Sequence, residues 1–510
     1  MRDDGAAARD AAPIPTAVDG GPADARMSIL QRAETEKRSS AARQLTSSRL
    51  LGANRPSASS AALVGNVPPP WWGNPAILLA GFIIPMYTLV YSIPALFGAG
   101  AMQLKAPIFF EQTYFWLGFG FLFCALLGAL AGQFLQPGRP KPGHKQEEYV
   151  SVYYLEIVAL VTIGAYLIWF RNLFVSPSAL LSVLRGDGEY GVRSQNRTIG
   201  GITTLAQCGL SYIILYTDRV WGLQQPIRQR RFAWYFYIIL GLSIFRSYAW
   251  AERLAVIELM VPLGLFFFCY RDRGIHPVMR LIRGIGPVLG VIGLIGFFGM
   301  MEFFRSWSAY ENAESGFWSF VMRRFLSYYY GALNNGAGFL MVMDWPTYNM
   351  EHVLQWLYRF PALIGPIFRY AFDVQTQDFI FLSRYADAEF NNMSGIFTIF
   401  FDLGVPGTLI YAAVWGGLAG VSYSSMRARK GFWRLMYPLL FLSILEIMRI
   451  LYISDVRAFP VILTLVLGYA FFRTRAVVPA QLHQIRRARR HSTVSGGRWH
   501  RPRFGRFFGR

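Results

Sequence analysis

Apolar residues form ten blocks along the chain, and polar segments separate them. A helix needs about 17–25 residues to cross a lipid bilayer, and most of the blocks reach that length. The fifth, sixth and tenth blocks are the weakest. The pattern predicts an all-α polytopic membrane protein with about ten transmembrane helices, at 75–97, 113–134, 149–172, 198–217, 232–250, 254–270, 284–302, 395–423, 435–453 and 458–472.

Two polar tails and one long polar segment divide the chain into five regions. Residues 1–66 are rich in Ala, Asp, Arg and Ser and contain no apolar block, which predicts a disordered cytoplasmic tail without a secretory signal. Transmembrane helices 1–7 are expected in 67–302 and helices 8–10 in 395–472. Between them, 303–394 is expected to form a large periplasmic loop, and 473–510 is a basic cytoplasmic tail with eleven arginines.

Basic residues are concentrated in every second connection between the blocks. These connections are 134–148, 217–231, 271–283 and 424–434, and each carries three or four Lys or Arg residues. Cytoplasmic loops of membrane proteins carry an excess of Lys and Arg. The alternation therefore predicts an even number of spans, with both termini in the cytoplasm.

The large loop, 303–394, is too long to be an idle connection, because such loops are usually functional or disordered. It contains many aromatic residues, among them Trp307, Trp318 and Trp356, so we expect it to be folded. The alternation of apolar and polar residues over 352–364 is typical of a helix at a membrane interface. We therefore predict a cap of short helices on the outer surface of the bundle.

Composition supports a membrane protein and excludes other classes. Hydrophobic residues make up 54% of the chain and charged residues 15%, against about 25% charged in a soluble domain. A net charge of +21 would suggest nucleic acid in a soluble protein. Here the basic residues lie mainly in loops and the C-terminal tail, so the expected partner is the lipid bilayer and not nucleic acid. The three cysteines lie in apolar blocks without a metal-binding spacing.

Several arginines lie in short outer turns, where the positive-inside bias disfavours them. Arg246 and Arg253 flank the turn between the fifth and sixth blocks, together with Glu252, and Arg449 and Arg457 flank the last outer turn. A charge within a span costs roughly 2.5–3.5 kcal/mol, so such residues usually pair or serve a site. Guanidinium groups bind phosphate bidentately. The set is interpreted as an anion site, with structural ion pairing as the alternative.

Other polar residues in or near the loop are candidate bases or sugar ligands. His352 is the only histidine of the loop, and an unperturbed imidazole titrates near pH ~6.5. Asp402 lies within the eighth block, where a buried carboxylate must be paired, neutral or functional. Asn334, Asn335 and Asp378 belong to a set of side chains able to hydrogen-bond sugar hydroxyls.

The architecture and three short stretches carry a family resemblance. The stretches are Arg246–Glu258, Phe325–Asn334 and Ser394–Gly407, and the architectural likeness covers residues 70 to 472, with one large outer loop before the last spans. On these features the chain resembles bacterial polysaccharide polymerases of the Wzy type, also called O-antigen or oligosaccharide repeat-unit polymerases. The long N-terminal tail departs from that pattern.

The resemblance implies a GT-C-like bundle and a metal-independent glycosyltransferase without a cofactor. Such an enzyme joins oligosaccharide repeat units carried on undecaprenyl pyrophosphate, at the periplasmic face of the bacterial inner membrane, with a flippase and a chain-length regulator as partners. The acceptor hydroxyl would need a base, for which Glu252, His352, Asp378 and Asp402 are candidates, with Arg253 as a further catalytic candidate. Pyrophosphate would be bound by arginines at the outer surface: Arg246, Arg305, Arg323, Arg324, Arg449 and Arg457.

Two further interpretations remain open from the sequence. O-antigen ligases share the architecture and the lipid-pyrophosphate donor, and a loop histidine such as His352 is expected to matter in them. A polysaccharide or lipid transporter would also carry charges within spans. The folded loop and the lack of visible repeats favour an enzyme over a transporter.

Overall fold

The computed structural model describes residues 69–477 in large part. Outside the described residues lie the termini, 1–68 and 478–510, and the internal positions 99–101, 136–145, 177, 179–197, 224, 226, 251, 271–276, 308–309, 313–315, 361–363 and 372–376. The predicted N-terminal tail and nearly all of the basic C-terminal tail therefore fall outside the described part of the chain.

The described chain is almost entirely helical, and a helix lies in each of the ten apolar blocks. The main helices are α1 (Pro75–Phe97), α2 (Gln112–Phe134), α3 (Val152–Trp169), α4 (Cys208–Thr217), α5 (Arg231–Trp250), α6 (Leu254–Tyr270), α7 (Gly286–Glu302), α8 (Phe317–Val342), α9 (Gly395–Ala428), α10 (Trp433–Glu446) and α11 (Ala458–Phe471). Shorter helical segments are Trp71–Gly73, Arg171–Val175, Ile202–Leu205, Asp218–Gly222, Pro277–Gly284, Phe303–Trp307, Gln355–Tyr358, Ile364–Ala371, Gln377–Tyr385 and Tyr452–Ser454.

Five of these helices, α1, α2, α3, α5 and α9, are long and apolar enough to cross a membrane. Three more, α6, α7 and α11, are apolar but shorter. The side chains of α4 and α10 are buried at nearly every position, as expected for helices in the middle of a bundle. The chain is thus a helical membrane protein, and the count of ten spans stays a prediction.

Small residues bring α2 and α9 into backbone contact. A Cβ atom on Gly128 of α2 would lie 2.0 Å from the carbonyl oxygen of Ala413, and one on Gly416 of α9 would lie 2.0 Å from that of Ala125. Close approach through glycine and alanine is a common way for membrane helices to associate, since lipid provides no hydrophobic drive between them. Small residues on both helices therefore allow their backbones to meet.

One pair of strands departs from the all-α prediction. Strands β1 (Gln146–Val150) and β2 (Arg473–Val477) pair antiparallel, so the third apolar block begins in a strand, and α3 starts only at Val152. Buried Arg434 fixes the arrangement, because it donates to the carbonyl oxygen of Glu148 at 2.7 Å and pairs with Asp218 at 3.1 Å. The basic connections thus meet at one end of the bundle.

The cap over 303–394 is built differently from the prediction. Its main element is α8, a buried helix of 26 residues, and not a set of short helices alone. The described residues of 352–364 are helical at Gln355–Tyr358 and again from Ile364, and His352 is buried, so the predicted interfacial helix does not begin at His352. Asn334 of α8 anchors another outer segment, since its side chain accepts from the N–H groups of Phe109 and Phe110.

Candidate active site

A kink in α9 creates the first cluster. Gly404 has φ 66° and ψ −177°, a conformation suited to glycine, and Pro406 has no N–H to donate to the carbonyl of Asp402. The carbonyl oxygens of Phe401 and Asp402 accept instead from the N–H groups of Thr347 and Tyr348, both at 2.9 Å. The kink therefore docks the 345–354 loop against the start of α9.

The docked loop places His352 on Asp402. The His352 Nδ1 lies 2.8 Å from Asp402 Oδ1, and Asp402 Oδ2 accepts the backbone N–H groups of His352 and Val353 at 2.7 and 2.8 Å. Both side chains are buried. A carboxylate only accepts, so Nδ1 carries a proton. The Nε2 atom is buried and has no hydrogen-bond partner among the described residues.

Charges around the ring favour its protonated form. Burial alone would lower the pKa of His352, but the hydrogen bond and charge of Asp402, with the charges of Glu351 and Asp378, raise it above its ordinary value. Burial also raises the pKa of Glu351 to about 7. Asp378 is paired with Arg359 at 3.2 Å. When His352 loses its proton, its Nε2 lone pair becomes a base oriented by Asp402.

Arginines and carboxylates form a second cluster, which we call the arginine network. Its members come from five parts of the chain that are distant in sequence: Arg246, Glu252, Arg253, Glu258, Glu302, Arg324, Glu389, Glu446, Arg449 and Arg457.

The first part of the network surrounds Glu252. Arg246 Nη2 lies 2.7 Å from Glu252 Oε2, and Arg457 pairs with Glu252 through the other carboxylate oxygen. Burial alone would raise the pKa of Glu252, and the charges of Arg457 and Arg246 hold it below its ordinary value. Glu252 is therefore an ionised partner and a poor proton acceptor.

The second part of the network surrounds Glu302 at the end of α7. This buried carboxylate pairs with Arg253 and with Arg324 Nε, the latter at 2.8 Å, and accepts from Ser306 Oγ at 2.7 Å. Arg324 also pairs with Glu389 of the cap at 2.5 Å. Glu302 thus ties the bundle to the cap.

Arg449 lies between these two parts. Its Nη1 lies 2.9 Å from Glu446 Oε2, and its Nε is buried without a partner among the described residues. The positive charges of Arg449 and Arg457 repel each other. The guanidinium carbons of Arg449 and Arg253 each lie 5.0 Å from the centre of the Tyr328 ring. Five of the predicted arginines therefore belong to one region.

Helix α8 connects the arginine network with the His352–Asp402 pair. Tyr328 contacts the arginines, and Phe339 packs against His352 with ring centres 5.8 Å apart. The two aromatic residues are separated by about 16 Å along the helix axis. A second link is the stack of Trp356 on Phe459, with ring centres 4.4 Å apart, close to Arg457 in the chain.

The remaining predicted residues are less central. Arg305 lies in Phe303–Trp307, but its side chain is outside the described part, and Arg323 is half-buried on α8. Asn334 and Asn335 are occupied with backbone groups of outer segments, so they anchor loops and are not open to sugars. The sequence interpretation overlooked Gln207, a lone amide in the fourth apolar block, whose polarity was a usable signal.

The chain matches no protein-family model, no curated protein and no solved structure. Function is therefore inferred from the chemistry of the two clusters.

Proposed function

We propose that the protein is a polysaccharide polymerase of the bacterial inner membrane, a glycosyltransferase with about ten spans in a GT-C-like bundle. In this proposal the end of the bundle that carries the basic connections faces the cytoplasm. The cap and both clusters face the periplasm. Its substrates are oligosaccharide repeat units on undecaprenyl pyrophosphate. Partners of this activity are a flippase, which delivers the units, and a chain-length regulator.

The proposed reaction joins one repeat unit to the growing chain. The acceptor hydroxyl attacks the anomeric carbon of the donor, the bond from that carbon to the pyrophosphate oxygen breaks, and the acceptor proton goes to His352 Nε2. The leaving group is undecaprenyl pyrophosphate, whose charge the arginines stabilise. Since Arg246, Arg324 and Arg457 already hold carboxylates, pyrophosphate would compete with those carboxylates for them.

The observation that carries the proposal is the His352–Asp402 pair, whose buried Nε2 atom has no partner among the described residues. A base fixed by a buried carboxylate is the arrangement that general-base catalysis needs, and such a base contributes about 10²–10⁴-fold to the rate. The arginine network, about 16 Å from the pair along the axis of α8, supplies cationic groups for a phosphate leaving group.

The test uses purified protein in nanodiscs with an undecaprenyl-pyrophosphate repeat unit, and a gel to detect a ladder of products. We expect a ladder from the wild type and from Arg231→Gln, which alters a half-exposed pair away from both clusters. His352→Gln should lose the ladder while remaining folded. A wild-type protein that is folded but gives no product with authentic substrate would contradict the proposal.

A ligase is the second candidate, and the loop position of His352 favours it. A ligase transfers its glycan once to a different acceptor, so it would give a single product only when that acceptor is added. A ladder formed from repeat units alone would exclude this alternative.

A further inference from the structure

Glu258 of α6 differs from the other carboxylates of the arginine network in the length of its ion-pair contact. It is only 2% exposed, yet its one ion pair among the described residues is with Arg457 at 3.5 Å. Charge-assisted hydrogen bonds are usually about 2.7–2.9 Å long. Glu252, in contrast, holds Arg246 at 2.7 Å and takes the shorter contact with Arg457.

The charges around Glu258 do not balance. The described charged groups that face it are Arg246 from α5, Glu252 from the turn, and Asp455 and Arg457 from the segment before α11. With Glu258 ionised, three negative charges would face two positive charges. An uncompensated charge in a buried site is costly, and the group usually becomes neutral instead.

The uncharged neighbours of Glu258 also suit a carboxylic acid. The Gln207 amide, in the orientation that satisfies its contacts, donates to Glu258 Oε2 at 3.3 Å and accepts from Arg246 at 2.7 Å. The buried Tyr452 hydroxyl lies beside Glu258, which is its hydrogen-bond partner among the described residues. A protonated carboxyl has a donor to offer to such a hydroxyl.

We propose that Glu258 is a proton-binding site, which holds one proton at neutral pH within the buried part of the arginine network. Loss of that proton would leave a second carboxylate competing with Glu252 for Arg457 and Arg246. If these arginines bind pyrophosphate, deprotonation would also add a negative charge beside the anion and weaken its binding. Only this last consequence rests on the proposed function.

Infrared spectroscopy of the purified full chain tests the proton directly. The carbonyl stretch of a protonated carboxyl is separate from the carboxylate bands and shifts in heavy water. Because the carboxyl of Glu351, with a pKa of about 7, also gives such a band, the variants are made in the Glu351→Gln background. There we expect the band at neutral pH, its loss with Glu258→Gln, and its retention with Glu446→Gln, where the carboxylate is paired at 2.9 Å. A Glu258→Gln spectrum that loses a carboxylate band instead would overturn the proposal.

Thermal unfolding gives a second, independent measurement. A group that is protonated only in the folded state makes stability fall as pH rises through its folded pKa. Wild-type stability should therefore fall at high pH more than that of Glu258→Gln, and Glu446→Gln should unfold more easily than Glu258→Gln at every pH. Equal destabilisation by both variants would contradict proton binding. So would a wild-type stability that depends on sodium concentration and not on pH, because the carboxylate would then bind a sodium ion in place of the proton.

If Glu258→Gln fails to fold, Glu258→Asp in the Glu351→Gln background decides the question. Its carboxylic acid band must differ in position from that of Glu351→Gln alone and decrease as pH is raised. A spectrum without that band at neutral pH, or with a band that neither moves nor titrates, rules out the site.

Discussion

The arginine network and the His352–Asp402 pair lie along the same helix, α8, but use buried charge in opposite ways. In the network, Glu302 binds two arginines and a hydroxyl, and Glu252 binds two arginines. In the other cluster, Asp402 pairs with one side of an imidazole, and the buried Nε2 on the other side has no partner among the described residues. The first arrangement consumes its charges in mutual contacts, whereas the second leaves one polar atom unpaired.

This difference separates stability from chemistry. Removing one partner of a buried ion pair leaves the other charge uncompensated, which costs more than the pair contributes. Replacing the carboxylate that orients a histidine base preserves the fold but changes which ring nitrogen carries the proton. We therefore expect variants of the network to unfold more easily, and variants of the pair to lose activity while remaining folded.

The largest expected effect follows from Asp402→Asn. The amide oxygen can still accept the backbone N–H groups, but the amide nitrogen would donate to Nδ1 and place the ring proton on Nε2. His352 could not then accept a proton, and the rate of transfer should fall by about 10²–10⁴-fold. Product formation in nanodiscs measures this rate.

The matched control is Asp344→Asn, an exposed aspartate in the same cap. It should keep wild-type activity, and the thermal unfolding of both variants should stay near that of the wild type. If Asp402→Asn kept full activity, His352 would be a structural residue and the comparison between the clusters would fail.

The next effect is expected from Glu302→Gln. Loss of this charge leaves Arg253 and Arg324 with reduced compensation in a buried site, and breaking a buried pair costs about 3–5 kcal/mol. Thermal unfolding in detergent should show a large drop in midpoint. Glu156→Gln is the control, because its partner Arg231 is 52% exposed and such pairs contribute about 1 kcal/mol or less. Equal drops in the unfolding midpoint of both variants would show that burial of the network does not determine the cost of breaking an ion pair.

A smaller effect concerns pH. The pKa of His352 is raised, so the base is blocked at low pH and activity should rise about tenfold per unit until the proton is lost. Stability should change in the other direction, because a raised folded pKa adds stability below the unfolded value that is lost as pH rises through the folded one. The pKa of Glu351, raised from 4.5 to about 7, adds a loss of the same sign between those two pH values.

Activity and unfolding measured over one pH series check both signs. In Glu351→Gln the loss of stability near neutral pH should be smaller, while the rise of activity remains. An activity that is flat with pH in an otherwise active wild type would show that His352 does not act as the base.

The local pattern of apolar residues was enough to predict most helices, because a long apolar block by itself indicates a membrane helix, as in α1 and α2. It is equally direct for neighbours such as Glu446 and Arg449, which are three residues apart and pair in the structure. It missed α8, whose arginines, tyrosines and asparagines hide a buried helix, and it missed the strand pair, which joins residues more than 300 positions apart.

The candidate residues were accessible from sequence, but their contacts were not. His352 and Asp402 were chosen separately, and their contact depends on the kink at Gly404 and on two backbone hydrogen bonds across 54 residues. Arg253 and Glu302 are 49 residues apart. Such pairings are tertiary, and no periodicity along the chain encodes them.

The smallest effect is expected from Asp378→Asn, which tests the outer limit of the His352 cluster. Asp378 pairs at 3.2 Å with Arg359, which is 53% exposed, so its loss should cost less than about 1 kcal/mol of stability. Its carboxylate also helps to raise the pKa of His352. Its removal should therefore lower that pKa and shift the activity profile to lower pH, with the maximal rate unchanged. A loss of maximal rate as large as that of Asp402→Asn would contradict this peripheral role, because a carboxylate that acts on His352 only through its charge shifts the midpoint of the profile and leaves the plateau unchanged.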